Sequence, residues 1–374
     1  METVIKWTKN ENLCFEKDKR GWTKDKPRKY INNEEKKIIN IYHNLKNDPL
    51  SFFCGATAIA NVWKRIYPSK PVPHLRFIGR ILKKHNLTKK IDRGKNKGAS
   101  RYLLYPDYTI LNNIGKNSLL EIDYIGQKFI KGQTEPINFL AFSLRGKRTL
   151  KYYVRTRFLT QDELMQHLKY FFNTYEKPVA CKMDNAFVFF GPSSKGKFLS
   201  KTVLFLLSNN VIPIFTAPRK PWNQASVEGA GSIFARKFWN RFHFNNVLEI
   251  DKKLGEFNFD YMRYLNYQSP DKTEDNSDFS YCVYFIRKVY EKDKNTGYVG
   301  IGNEQIDIDS SYINLFTLCE WNLEKETLSI YLQREGVSDN GKCSFHLKLI
   351  KKITFEISKG SEVKAVDFYM SLNR

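Results

Sequence analysis

The chain has 374 residues, 41% hydrophobic and 15% aromatic, which suits two or three domains with packed cores and excludes a wholly disordered chain. A formal net charge of +23 favours a polyanionic partner, with nucleic acid the first candidate. The six cysteines, Cys14, Cys54, Cys181, Cys282, Cys319 and Cys343, contain no C-x-x-C pair, so neither a disulfide framework nor a zinc module is expected.

No basic-then-apolar leader opens the sequence, and the most apolar run, 198–215, is interrupted by Lys201, Asn209, Asn210 and Pro213. The expectation is a protein of a reducing compartment, cytoplasmic and nucleoid-associated, with no membrane partner.

Residues 1–33 are polar and mixed in charge, and read as a mobile arm. Residues 34–95 read as a helix-turn-helix domain of three short helices. Glu34 and Glu35 open the first, and Asp48-Pro49 follows its end. Ile59, Val62, Trp63 and Ile66 give the second its helical spacing. The third runs from Pro73 to about Asn86, with Leu75, Ile78 and Leu82 as its apolar stripe. Arg76, Arg80, Lys83 and Lys84 recur on the other side, as a helix that docks on DNA requires. Between residues 61 and 101 there are thirteen Lys and Arg against one acid, Asp92, about half the surplus of the chain. Residues 96–117 continue as a polar linker.

The middle third predicts a mixed sheet covered by helices. Strands are expected at 119–126, 137–144, 150–156, 178–183 and 212–216, and helices at 161–175, 198–209 and 226–242. Helical and loop signals continue over 247–267. After a polar break at 271–276, short strand-like segments at 283–290, 298–301, 327–332 and 344–350 suggest a small β-barrel domain over 280–374.

Three acids stand out. Asp123 lies in the apolar strand Leu-Leu-Glu-Ile-Asp-Tyr, Asp184 ends the strand Ala-Cys-Lys-Met-Asp-Asn, and Glu228 follows Asn-Gln-Ala-Ser-Val near a helix start. A carboxylate in an apolar strand is costly without compensation, and several gathered together repel one another. A hard divalent cation is the natural neutraliser, and two such ions suit in-line phosphoryl transfer. Glu121 shares a strand face with Asp123, so either could be the ligand. Asp184-Asn185 also suits an ordinary turn, and Glu228 also suits the helix dipole.

The order Ile-Asp-Tyr, Met-Asp-Asn and Asn-Gln-Ala-Ser-Val-Glu-Gly resembles the catalytic core of the retroviral integrase superfamily, and within it the bacterial insertion-sequence D-D-E transposases. The likeness spans nearly the whole chain. It implies an α/β multidomain protein with a helix-turn-helix front, a ribonuclease H-like core over 118–270 and a small β-barrel at the end. It further implies that Asp123, Asp184 and Glu228 bind two Mg2+ or Mn2+ ions. Asp123 would bridge both ions, and the chain would cleave and join mobile-element ends to target double-stranded DNA as a homo-oligomer, with or without an accessory protein.

There are departures. The usual Asn-Gly before the last acid is replaced by Asn223-Gln224, and 44 residues part Asp184 from Glu228, more than the family's usual gap of about 35. The zinc module of the retroviral proteins is missing. Arg219, Lys220 and Trp222 precede the last helix, where they could grip a DNA end by phosphate contact and stacking, and Arg236 follows on that helix. Two other readings use the same residues: a metal nuclease that only hydrolyses DNA, and a non-catalytic domesticated DNA-binding protein.

Overall fold

The computed structural model describes residues 32–88, 118–146, 148–191, 199–218, 224–270, 281–337 and 343–357. Residues 1–31 of the arm expected at 1–33, the linker at 96–117, and Arg219, Lys220 and Trp222 lie outside the described residues, and Asn32 and Asn33 open a helix instead. The chain divides into two compact units, one holding residues 1–44 and 55–89, the other 45–54 and 90–374.

Among its described residues the first unit contains three helices, α1 (Asn32–Asn47), α2 (Ala56–Ile66) and α3 (Leu75–Lys84). Acidic Glu34 and Glu35 in the first turn of α1 and Lys46 in its last complement the helix dipole. The His74 ring nitrogen accepts the Arg76 N–H at the start of α3. The small core comprises Ile38, Ile41, Ile59, Trp63, Ile78, Ile81 and Leu82. Leu75, expected in the apolar stripe, is instead exposed in the first turn, and Ile81 takes its place on the buried face.

The second unit begins with an antiparallel meander: β1 (Ser118–Lys128), β2 (Ile137–Gly146) and β3 (Leu150–Thr156). After α4 (Gln161–Thr174), β4 (Ala180–Met183) pairs parallel to β1. The short helix α5 (Phe187–Phe190) and α6 (Lys201–Ser208) follow, then β5 (Ile212–Phe215), parallel to β4. Two helices, α7 (Ala225–Lys237) and α8 (Val247–Leu265), complete this part. The expected helix 226–242 stops early: α7 ends at Lys237, and a short 3-10 turn, Trp239–Arg241, succeeds it.

Strands β4 and β5 have four residues each and are almost wholly buried, so the helices that connect them lie on the faces of the sheet. Asn258 of α8 clamps the Tyr153 backbone of β3 from both sides, donating to its carbonyl at 2.7 Å and accepting its N–H at 3.0 Å. Arg155 and Asp251 add a two-pronged ion pair at 2.8 Å. Residues 45–54, expected inside a continuous helical domain, belong to this second unit. The Phe52 N–H is accepted by the Asp260 carboxylate at 2.6 Å, and Phe52 and Phe53 pack against Phe257.

The closing strands are β6 (Cys282–Lys288), β7 (Tyr290–Asp293), β8 (Thr296–Ile301), β9 (Glu304–Asp309), β10 (Phe316–Asn322), β11 (Thr327–Val337) and β12 (Cys343–Thr354). They differ from the separate barrel expected at 280–374. Strand β6 pairs parallel to β5, which makes one nine-stranded sheet in the order β12-β11-β10-β6-β5-β4-β1-β2-β3. Strands β7, β8 and β9 form a second, three-stranded antiparallel sheet. The reason lies at the edge of β5: a buried strand with unpaired backbone groups needs a partner, and β6 is buried over nearly its whole length. Val289, Val299, Ile306, Trp321 and Phe355 join the same apolar core as Leu120, Ile122 and Phe171.

Candidate active site

Parallel pairing sets Leu119 beside Ala180, Leu120 beside Cys181 and Glu121 beside Lys182. That offset of 61 residues, carried two positions further, puts Asp123 level with Asp184, just past the end of β4. Neighbouring strands lie about 4.8 Å apart, so register alone places the first two acids together. Alternation does the rest: Leu120 and Ile122 enter the core, while Glu121 and Asp123 face the other way.

Glu121 and Asp123 have different fates on that face. Glu121 is buried, and its Oε1 meets Lys182 Nζ at 3.2 Å and Arg145 at 3.1 Å. Its Oε2 accepts the Val227 N–H at 3.1 Å, in the first turn of α7. Glu121 is therefore committed to anchoring the helix, where a carboxylate also complements the dipole. Of the two alternatives on β1, Asp123 is the one that remains available as a ligand.

Gln224 fixes the same junction from the other side. Its amide donates to the Ile122 and Lys182 carbonyls, both at 3.2 Å. These carbonyls sit one residue before Asp123 and two before Asp184, and Gln224 itself immediately precedes α7. A buried amide between two strands satisfies groups the parallel ladder leaves open beyond Glu121 and Lys182. A third anchor comes from β3: Lys151 Nζ donates to the Ser226 carbonyl at 3.0 Å and to Ser226 Oγ at 2.6 Å, and also meets Ser143. Burial pushes Lys151 down to about 8.

These anchors present Glu228 on the exposed side of the first turn of α7, while Val227, Ala230 and Phe234 face inward. Tyr153 donates to the Ala230 carbonyl at 2.9 Å, and Phe234 packs on Phe139 and Tyr153. The charge of Glu228 reaches Asp123. The Asp123 carboxyl is pushed up to about 7, first by burial, then by Asp184 and then by Glu228. Burial raises Asp184 as well, against the Ala186 N–H that its Oδ1 accepts at 2.8 Å.

The donors are three carboxylates, the oxygen set a hard divalent ion takes, and their mutual repulsion is what such an ion relieves. As placed, they are not drawn tight: among the described residues no group of three His, Cys, Asp or Glu side chains could hold a metal. Glu228 is exposed, so its side chain has room to turn toward the two aspartates.

The nucleic-acid candidates fall in several places. Arg76, Arg80, Lys83 and Lys84 are all exposed on α3. Lys84 is also tied to Glu35 at 2.8 Å, an acid it shares with His85. Arg236 is exposed on α7, with its Nε donating to the Ser232 carbonyl at 3.2 Å. Tyr124 packs toward Phe189 in the core, and Phe238 is buried. Sequence reasoning did not single out Lys182, Gln224, Lys151 or Ser226 as builders of the site. Lys182 carried a signal, since a lysine inside an apolar strand must find a partner.

No protein-family model and no curated protein matches the chain. Among solved structures, one chain of a simian T-cell lymphotropic virus intasome in complex with the PP2A regulatory subunit B56 gamma is similar at 8% identity and a TM-score of 0.28. The match covers 53% of this chain and 80% of that one. A likeness at that score does not establish a shared fold. No helix among the described residues is long and apolar enough to cross a membrane.

Proposed function

We propose that the chain is a D-D-E polynucleotidyl transferase, a transposase or integrase that cleaves mobile-element ends and joins them to target DNA. The observation that carries this reading is the parallel pairing of β1 with β4, whose register sets Asp123 level with Asp184 at one end of the sheet, where the charge of Glu228 also acts on Asp123. Strands β1 to β5, three antiparallel and then two parallel, support a ribonuclease H-like core around those acids.

Asp123, Asp184 and Glu228 would hold two Mg2+ or Mn2+ ions. When bound, such ions activate an attacking oxygen and stabilise the leaving oxygen of an in-line displacement. The chain's own part is positional. β1 and β4 set the two aspartates side by side, while Glu121, Gln224 and Lys151 fix the helix that brings the third acid. Water then attacks a phosphodiester, leaving a 5′-phosphate on one fragment and a free 3′-hydroxyl on the other; that hydroxyl attacks a phosphodiester of a second duplex, joining its 5′-phosphate and displacing its 3′-hydroxyl. The exposed arginines and lysines of α3 would contact the DNA backbone and groove. Because two ends are joined in one event, a homo-oligomer on DNA is part of the proposal.

The test is strand transfer of a labelled DNA end into plasmid with Mg2+ or Mn2+. Joined product from the wild type, absent in Asp184→Asn, supports the reading. Nicking without joining would favour the hydrolytic nuclease that uses the same acids.

A further inference from the structure

Arg287, on β6, is only 5% exposed. A guanidinium keeps its charge at any ordinary pH, so its burial has to be answered by acceptors. Every acceptor it finds is neutral. Its Nε donates to the Gly300 carbonyl of β8 at 2.9 Å. One terminal nitrogen donates to the carbonyls of Thr216 at 3.0 Å and Ile286 at 2.8 Å. The other donates to Asn185 Oδ1 at 2.8 Å. Among the described residues no carboxylate pairs with it, and burial pushes it down to about 10.

Asn185 is held at both ends of its amide. Its Oδ1 takes the Arg287 hydrogen bond, and its Nδ2 donates to the Thr216 carbonyl at 2.7 Å. Thr216 lies at the end of β5, beside the end of β4, and its own N–H reaches the Met183 carbonyl at 2.9 Å. The turn from β4 into α5 is thus pinned one residue beyond Asp184. The pin comes from β6, and β6 is braced in turn on β8.

We infer that Arg287 is a positioning residue for the second acid: through Asn185 it sets the turn that holds Asp184 level with Asp123. The closing strands are therefore part of how the acidic site is built. This rests on the reading of Asp123, Asp184 and Glu228 as metal ligands. Sign separates positioning from charge. A buried cation beside the site disfavours a second cation, so loss of Arg287 by charge alone tightens divalent binding. Loss of positioning weakens it.

The experiment measures Mn2+ binding to the full chain without DNA, by electron paramagnetic resonance of the free ion, with thermal unfolding in EDTA in parallel. The variants are Asp184→Asn, Asn185→Ala, Arg287→Lys, Arg287→Gln and the double variant Asn185→Ala, Arg287→Gln. Asn185→Ala is expected to bind Mn2+ at least tenfold more weakly with little change in Tm. Arg287→Lys, which keeps the charge but loses the fork, is expected to be as weak as Arg287→Gln. The double variant should be no weaker than Arg287→Gln alone. If Arg287 variants do not fold, Asn185→Ala alone carries the test. Wild-type affinity in Asn185→Ala, or tighter binding in Arg287→Gln, overturns the inference while leaving the metal site intact. A wild type with no Mn2+ site removed by Asp184→Asn overturns the functional reading beneath it.

Discussion

Glu121 Oε2 accepts the Val227 N–H at 3.1 Å, which ties the strand of the first acid directly to the helix of the third. The same carboxylate neutralises buried Lys182 and meets Arg145. Two acids two residues apart on one strand face therefore do opposite things. Removing Glu121 strands a buried lysine and an open helix N–H, whereas removing Asp123 relieves repulsion. We expect Glu121→Ala to lose about 3–5 kcal/mol in urea unfolding, the range for breaking a buried pair from one side. Asp123→Asn should be neutral or stabilising in the same measurement. Equal losses in the two variants would contradict this division of roles.

Stability should depend on pH through Asp123. Its carboxyl titrates near 7 in the folded chain against an ordinary value of 3.8, because of burial, then Asp184, then Glu228. The folded state holds the proton more tightly, so between those values it binds more protons than the unfolded chain. Stability is then fully present below pH 3.8 and lost as pH rises through 7, by a ceiling of roughly 4 kcal/mol. Unfolding in EDTA across pH 4 to 8 reads this slope, which Asp123→Asn should flatten. Divalent ions favour the ionised form, so added Mn2+ should restore stability most at high pH and release protons on binding.

Gln224 bridges the two strands of the site through the Ile122 and Lys182 carbonyls. Gln224→Ala leaves both carbonyls buried without that donor, at a cost of about 1–3 kcal/mol. It should also lower strand transfer at least tenfold, since small displacements of positioned groups cost rate steeply. Gln224→Glu keeps the shape but aims a carboxylate at two carbonyls, and should be worse than alanine in both measurements. Wild-type strand transfer in Gln224→Ala would show that the acids do not depend on this bridge.

On α3, Arg76→Ala, Arg80→Ala and Lys83→Ala should each weaken DNA binding and reduce the slope of log affinity against log salt by about one. Lys84→Ala should do less, since Lys84 already serves Glu35. Fluorescence anisotropy with a labelled duplex over a salt series measures this. An unchanged slope in all four variants would remove α3 from the interface.

Much of the site's framework was legible in the chain. Apolar periodicity placed β1 to β5, α4 and α6, because those residues alternate or repeat against one continuous core. The three acids were visible as charges at the ends of apolar strands and at a helix start. Glu121 and Asp123 could not be ranked from sequence, because alternation puts both on one face. Only pairing with β4 revealed Lys182 as the partner that claims Glu121. The fusion of β6 to β5 was equally hidden, since strand propensity names no neighbour. Strand β9, with Glu304, Asp307 and Asp309 around its two buried isoleucines, was too acidic to be noticed. Gln224 carried no signal at all: an amide's value lies in the two carbonyls it meets, which are 102 and 42 residues away.

We propose that Asp123, Asp184 and Glu228 form one metal-dependent centre for DNA strand transfer. The most direct measurement is joining of a labelled DNA end to plasmid, with Mg2+ or Mn2+, by the wild type and Glu228→Gln. Joined product is expected from the wild type and at least a hundredfold less from Glu228→Gln, with DNA binding unchanged; a hundredfold corresponds to about 2.7 kcal/mol of transition-state stabilisation. Joined product at the wild-type level from Glu228→Gln would contradict it.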